Sequence, residues 1–172
     1  SPADPTLYDT TVMTAEAWVQ PRALPVTGSV ALLSKGAAGW EVRYQSTGKI
    51  SFVTTGVQTT IPGGDPTELI SKARVEPGLW THIAVVWDPT TETKQIFING
   101  GLDTTSPAQG VLGTTTLPLT FAAEPSAGSI FSRAYYGTLD EVRFWRVARS
   151  AQEVQANYVL RLNGSEPGLA GL

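Results

Sequence analysis

Residues 80–101, WTHIAVVWDPTTETKQIFINGG, limit the fold more than any other stretch of the chain. Residues 80–88 are apolar on both faces: Thr81, Ile83, Val85 and Trp87 point one way, His82, Ala84 and Val86 the other. A strand with no polar face is covered on both sides, so it belongs in the middle of a sheet. Asp88-Pro89 opens a polar connection that runs through Thr93. Residues 95–99 return as a strand rich in Ile and Phe. Asn99-Gly100-Gly101 then supplies residues that tolerate positive φ, as a tight hairpin turn requires. The centre of the chain reads as a β-meander.

The flanks carry the same signals. Residues 13–20 alternate, with Met13, Ala15, Ala17 and Val19 on one face and Thr14, Glu16, Trp18 and Gln20 on the other. Pro21 and Pro25 end that strand. Residues 30–35 read as a short apolar strand, and residues 40–45 and 49–54 as a hairpin across Ser46-Thr47-Gly48. Residues 55–74 read as a long loop around Pro62-Gly63-Gly64-Asp65-Pro66, with residues 69–75 as a strand inside it. Residues 102–111 and 114–116 are a polar Thr/Ser run with no strand pattern. Residues 117–123 are a candidate strand, 124–133 a loop, and 138–146 the last long strand. Ser150 reads as a helix N-cap with Glu153 as its capping-box partner. Ala151, Val154 and Tyr158 share a face, which predicts a short helix on the edge of the structure. Residues 163–172 form a Gly- and Pro-containing tail.

Strands dominate, so the fold class is all-β. The 172 residues are enough for one domain spanning 1–172, with its core over about 13–160 and a tail or linker at 161–172. Net charge is −3 and no basic, aromatic-interleaved stripe exists, which argues against nucleic-acid binding. No apolar run approaches the roughly 18 residues of a membrane span, which argues against membrane insertion. Cysteine is absent, which excludes disulfides and thiolate sites without fixing a compartment. The start at Ser1-Pro2 reads as part of a longer protein.

Three segments in order resemble the laminin-G-like, pentraxin-like branch of the concanavalin A-like jelly rolls. They are Ala15-Glu16-Ala17-Trp18-Val19, the W-T-H-I-A of residues 80–84 with its F-I-N-G return, and residues 137–145, GTLDEVRFW. They span residues 13–158. The resemblance implies a two-sheet antiparallel jelly-roll sandwich with one short C-terminal helix. It also implies an extracellular or cell-surface, bacterial-type setting, neighbouring domains in the same chain, and carbohydrate or an extracellular protein as partner.

Catalysis has little to work with. His82 is the one histidine and lies within a strand; it reads as a packed residue bonded to a neighbour. No nucleophile-elbow or zinc spacing occurs, nor the E-x-D-x-x-E of the related glucanases. The chain therefore reads as a non-enzyme. The family implies calcium as a cofactor, and Asp140 is its candidate ligand. Alternation places Asp140 with Val142 and Phe144 on the core face, where an ionised carboxylate needs a partner: a cation, or N–H groups and hydroxyls.

Candidate ligand-binding residues are Trp18, Trp40, Glu141, Arg143 and Trp145. If their strands adjoin, sugar rings can stack on the indoles while Arg and Glu bind hydroxyls. Trp40 follows a flexible loop and is expected at an exposed rim. The simpler reading of the same face is a structural Glu16–Arg143 ion pair under a covering loop, with the Trp residues as satellite core. Three functions stand open: a non-catalytic recognition module for carbohydrate or glycoconjugate, a protein-binding or architectural module in an adhesin or multidomain array, and an accessory domain on a secreted hydrolase. For the ends, the expectation is that the tail pairs against the sandwich near the N-terminal segment, or that residues 7–11 fill that edge.

Overall fold

In the computed structural model, which describes residues 9–60, 63–125 and 133–171, the chain forms twelve strands and one helix. They are β1 (Met13–Pro21), β2 (Ser29–Ser34), β3 (Trp40–Gln45), β4 (Lys49–Thr54), β5 (Val57–Thr59), β6 (Glu68–Arg74), β7 (Thr81–Asp88), β8 (Thr93–Ile98), β9 (Gly101–Gly110), β10 (Thr120–Phe121), β11 (Gly137–Trp145), α1 (Ala151–Asn157) and β12 (Leu169–Gly171). A seven-stranded sheet runs β12-β11-β1-β7-β8-β9-β5, and a five-stranded sheet runs β10-β2-β3-β4-β6. All pairings are antiparallel. The sheets share one core, to which β1 gives Met13, Ala15, Ala17 and Val19, β7 gives Ile83, Val85 and Trp87, and β3 and β4 give Val42, Tyr44, Ile50 and Phe52.

The strand apolar on both faces lies centrally, as its composition requires. Its second face is covered by α1: Val154 packs with Ala84 and Val86 of β7 and Phe97 of β8. The helix therefore sits on a sheet face, not on the expected edge. Its start is the predicted capping box, with the Ser150 hydroxyl accepting the Glu153 N–H and the Glu153 carboxylate accepting the Ser150 N–H. A helix this short is marginal alone, and burial of Val154, worth roughly 1.5–3 kcal/mol, holds it.

β9 is the longest strand and the sequence pattern hides it. Its inward residues are Thr104, Ser106 and Ala108, none of them a hydrophobic marker. They face Lys94, which is fully buried and donates to the Phe52 carbonyl (3.0 Å), the Thr54 hydroxyl (3.0 Å) and the Thr67 carbonyl (2.8 Å). Burial pulls the Lys94 ammonium down to about 7, against the opposing pull of Glu68 and Asp65.

The tail does pair. β12 lies antiparallel to the end of β11, with Gly171 opposite Phe144 and Leu169 opposite Trp145. Its neighbour is the last long strand rather than the N-terminal segment. Of residues 7–11, only 9–11 are described, and they form no strand.

Candidate functional site

On the outer face of the seven-stranded sheet, β1, β7 and β11 bring together the residues that the sequence marks. The expected phase holds: Glu16 pairs with Arg143 in register, and Arg143 Nη1 lies 3.6 Å from Glu16 Oε1. Trp145 donates its indole N–H to Glu16 Oε1 at 2.9 Å, and His82 Nε2 lies 3.4 Å from Glu16 Oε2. Burial pushes the Glu16 carboxyl up, but His82, Trp145 and Arg143 outweigh it and hold it below its ordinary value.

The face is sealed. Arg143 donates to the carbonyls of Asn157 (3.1 Å) and Leu160 and to Glu141 Oε2 (2.9 Å), pinning the end of α1 and the segment after it. Trp18 donates to the Tyr158 carbonyl at 3.0 Å and stacks on the Tyr158 ring. Arg149 lies over the Trp145 ring at 3.9 Å. Arg143 and Trp145 are buried, Trp18 and Glu141 half-buried. The arrangement is the ion pair under a cover, and Arg143 and Trp145 turn no face to solvent.

Trp40 is a second correction. It is 2 % exposed and stacks on Phe144 inside the core, at 5.6 Å between ring centroids. As the first residue of β3 it shares the inward phase of Val42 and Tyr44, so it lies at no rim.

Asp140 is a third. The β1–β11 register pairs Glu16 with Arg143 but Trp18 with Asp140, so Glu141 and Val142 together oppose Ala17. This β-bulge, with Glu141 at φ 47°, reverses the phase and turns Asp140 out to solvent on the Trp18 face. Its Oδ1 accepts the Glu141 N–H at 2.8 Å. Calcium needs six to eight oxygens, and among the described residues no three His, Asp or Glu side chains converge anywhere. The donor set at Asp140 does not fit that ion.

The outer face of the five-stranded sheet is different. β3 alternates Trp40, Val42 and Tyr44 inward with Glu41, Arg43 and Gln45 outward. Glu41 is 1 % exposed yet ionic: it accepts from the Ser34 hydroxyl (2.8 Å), from Arg43 Nε (2.7 Å) and Nη2, and from Arg133 Nη2 at both oxygens (2.9 Å each). Arg133 also donates Nε to Glu124 at 2.7 Å. Burial works against the charge on Arg133, but Glu124 and Glu41 raise its pKa. The Arg43 and Arg133 side chains stay 22 % and 28 % exposed. Ser51, the β4 partner of Arg43, has a buried hydroxyl without a hydrogen-bond partner among the described residues.

Arg133 is tied to the edge of this sheet, its carbonyl accepting the Ala31 N–H at 2.9 Å. The residues directly after it form one wall of a cleft of about 360 Å³, walled by residues 23–27, Val30 and residues 134–136. Tyr136 is 65 % exposed there, and the Arg22 guanidinium lies 5.5 Å from its ring centre. Sequence reasoning missed this region. The Glu41-x-Arg43 spacing on an alternating strand was its one signal, since Arg133 arrives from a remote segment.

Two antiparallel sheets, seven strands against five, with the first and last long strands side by side, define a lectin-type jelly roll. The family model described as the concanavalin A-like lectin/glucanases superfamily, of laminin G type, matches residues 1–155, and the chain belongs to that superfamily. No curated protein sequence matches it.

Among solved structures it is similar to a protein of Bacteroides ovatus provisionally described as carbohydrate-binding (TM-score 0.73, 18% identity, covering 93% of this chain and 44% of that one). The chain thus spans less than half of that protein. It is also similar to the CBM40 of a Ruminococcus gnavus sialidase bound to α2,3 sialyllactose (0.68, 15%, 88% and 84%). A third is domain 4 of a Geobacillus stearothermophilus extracellular arabinanase in complex with arabinotriose (0.60, 16%, 87% and 67%).

Proposed function

We propose that the chain is a non-catalytic carbohydrate-binding module of an extracellular protein. Its glycan lies on the outer face of the five-stranded sheet and runs into the adjoining cleft. One observation carries this reading: a fully buried Glu41 holds two partly exposed arginines in place beside a cleft with an exposed Tyr136 on its wall. Fixed guanidinium donors suit sugar oxygens, and an exposed ring next to them suits the C–H face of a pyranose. Arginines held by a buried carboxylate lose little further entropy on binding. The face around Glu16 is instead filled by Tyr158 and the segment after α1. Likeness to modules described as holding sialyllactose and arabinotriose supports the class of ligand.

The test is a glycan array followed by calorimetry on the best binder. Tyr136→Ala is expected to weaken that binding about three- to tenfold, the value of one aromatic stacking contact, with the melting temperature unchanged. Absence of binding to any glycan, together with capture of a protein partner by the same surface, would overturn the reading in favour of a protein-binding module.

A further inference from the structure

The chemistry around Glu41 goes further than sugar recognition in general. Resting on the carbohydrate reading above, we propose that the selected sugar carries a carboxylate, taken by Arg43 and Arg133 together. The buried Glu41 receives Arg43 through Nε and Nη2 and Arg133 through Nη2, and Glu124 takes Arg133 Nε. Every acidic contact in the cluster therefore uses those nitrogens. Those contacts leave Nη1 of each arginine out of the cluster's ion pairs, and the two side chains stay 22 % and 28 % exposed. What the site presents outward is guanidinium N–H groups, already oriented.

The charges of Glu41, Glu124, Arg43 and Arg133 cancel, so no long-range pull on an anion follows. Selectivity comes instead from short-range geometry. A carboxylate can take one charge-assisted N–H bond from each guanidinium on its two oxygens, which a single hydroxyl cannot reproduce. The sugar ring then extends along residues 133–136 toward Tyr136. Two sources share this chemistry: hexuronic acids of polysaccharides and nonulosonic acids that end glycoconjugates.

The experiment compares each acid with its own methyl ester, which removes the charge and keeps the ring. Calorimetry is run on the unmodified protein with tri-galacturonate and its methyl ester, and with a methyl glycoside of N-acetylneuraminic acid and its methyl ester. One acid of the two is expected to bind at least about tenfold tighter than its ester, and to keep that preference in 0.5 M salt, roughly where screening removes surface attraction. The pair that shows the preference names the source. Arg43→Lys keeps the charge but loses the guanidinium geometry, and is expected to remove most of the preference for acid over ester. Equal binding of acid and ester by the unmodified protein overturns the proposal and leaves the carbohydrate module standing. Binding of neither acids, esters nor any neutral glycan on the array overturns both.

Discussion

The Asp103 carboxylate, on β9 of the seven-stranded sheet, accepts the backbone N–H of Lys72, on β6 of the five-stranded sheet, at 2.6 Å. Its second oxygen takes the next N–H, that of Ala73, at 2.9 Å. β6 ends its sheet, and an end strand with free N–H groups invites pairing with another chain. Burial pushes the Asp103 carboxyl up, but the Thr104 hydroxyl and the two N–H groups bring it below its ordinary 3.8. Asp103→Ala is expected to lower stability by about 1–3 kcal/mol in urea unfolding and to raise the tendency to self-associate, read by light scattering. The contribution of Asp103 is in place above about pH 4 and lost as pH falls through its lowered value. An unchanged urea midpoint would mean that water replaces the clasp.

Glu16 is the hub of the sealed face. Glu16→Ala leaves Arg143 and His82 buried beside a void, and an expected loss of about 3–5 kcal/mol follows. Glu16→Gln keeps the shape and one acceptor for Trp145, so the loss should be smaller. Because the Glu16 pKa is lowered from 4.5, its ionisation favours the folded state above that pH and ceases to do so as pH falls below it. Acid unfolding of Glu16→Gln should therefore be shallower than that of the unmodified protein. Parallel acid curves would refute the assignment.

Lys94 gives a dependence of the same sense in a higher pH window. Its folded value of about 7 lies below the ordinary 10.5, so the unfolded chain holds the proton more tightly over the interval between them. Stability from this group rises with pH from about 7 upward, by at most about 1.4 kcal/mol per pH unit, and the penalty is fully present below 7. Lys94→Met should remove that slope. Urea midpoints at pH 6.5 and 9 for both proteins check it, and equal slopes would show that the ammonium stays charged on its three acceptors.

Asp140 lacks the company that a calcium ion needs. Excess chelator is expected to leave the melting temperature unchanged, and Asp140→Asn should change stability by less than about 0.5 kcal/mol, as for an exposed side chain. A melting temperature that falls in chelator and recovers with calcium would reveal a bound ion after all.

The sequence made strands legible where apolar residues alternate. β1, β7, β8 and β11 and the capped helix could be read because their inward residues are Met, Val, Ile and Phe. β9 could not, because its inward residues are Thr104, Ser106 and Ala108, matched to a buried lysine on the neighbouring strand. Asp140 was misplaced because Glu141 adopts a positive φ with no glycine to announce the bulge. The outward phase of Glu41 and Arg43 was hidden by the expectation that Trp40 is exposed, and the grip of Arg133 on Glu41 depends on a tertiary contact that no local pattern records. The burial of Trp40 shows the converse, since a Gly-rich preceding loop says nothing about which way the first strand residue points.

The position of β1 governs how the chain must fold. It lies between β7 and β11, and its register pairs Thr14 with Val86 on one side and with Trp145 on the other. Neither partner is near in sequence: Val86 lies 72 residues away and Trp145 131 residues away. Closing such loops before any contact rewards them is slow, so refolding on the millisecond-to-second scale expected of sandwiches with non-local pairing follows. During synthesis β1 emerges early, and its second edge stays unpaired until residues 137–145 have left the ribosome. A chaperone that shields an apolar strand over that interval would raise the yield of folded protein more than any stabilising change in the finished sandwich.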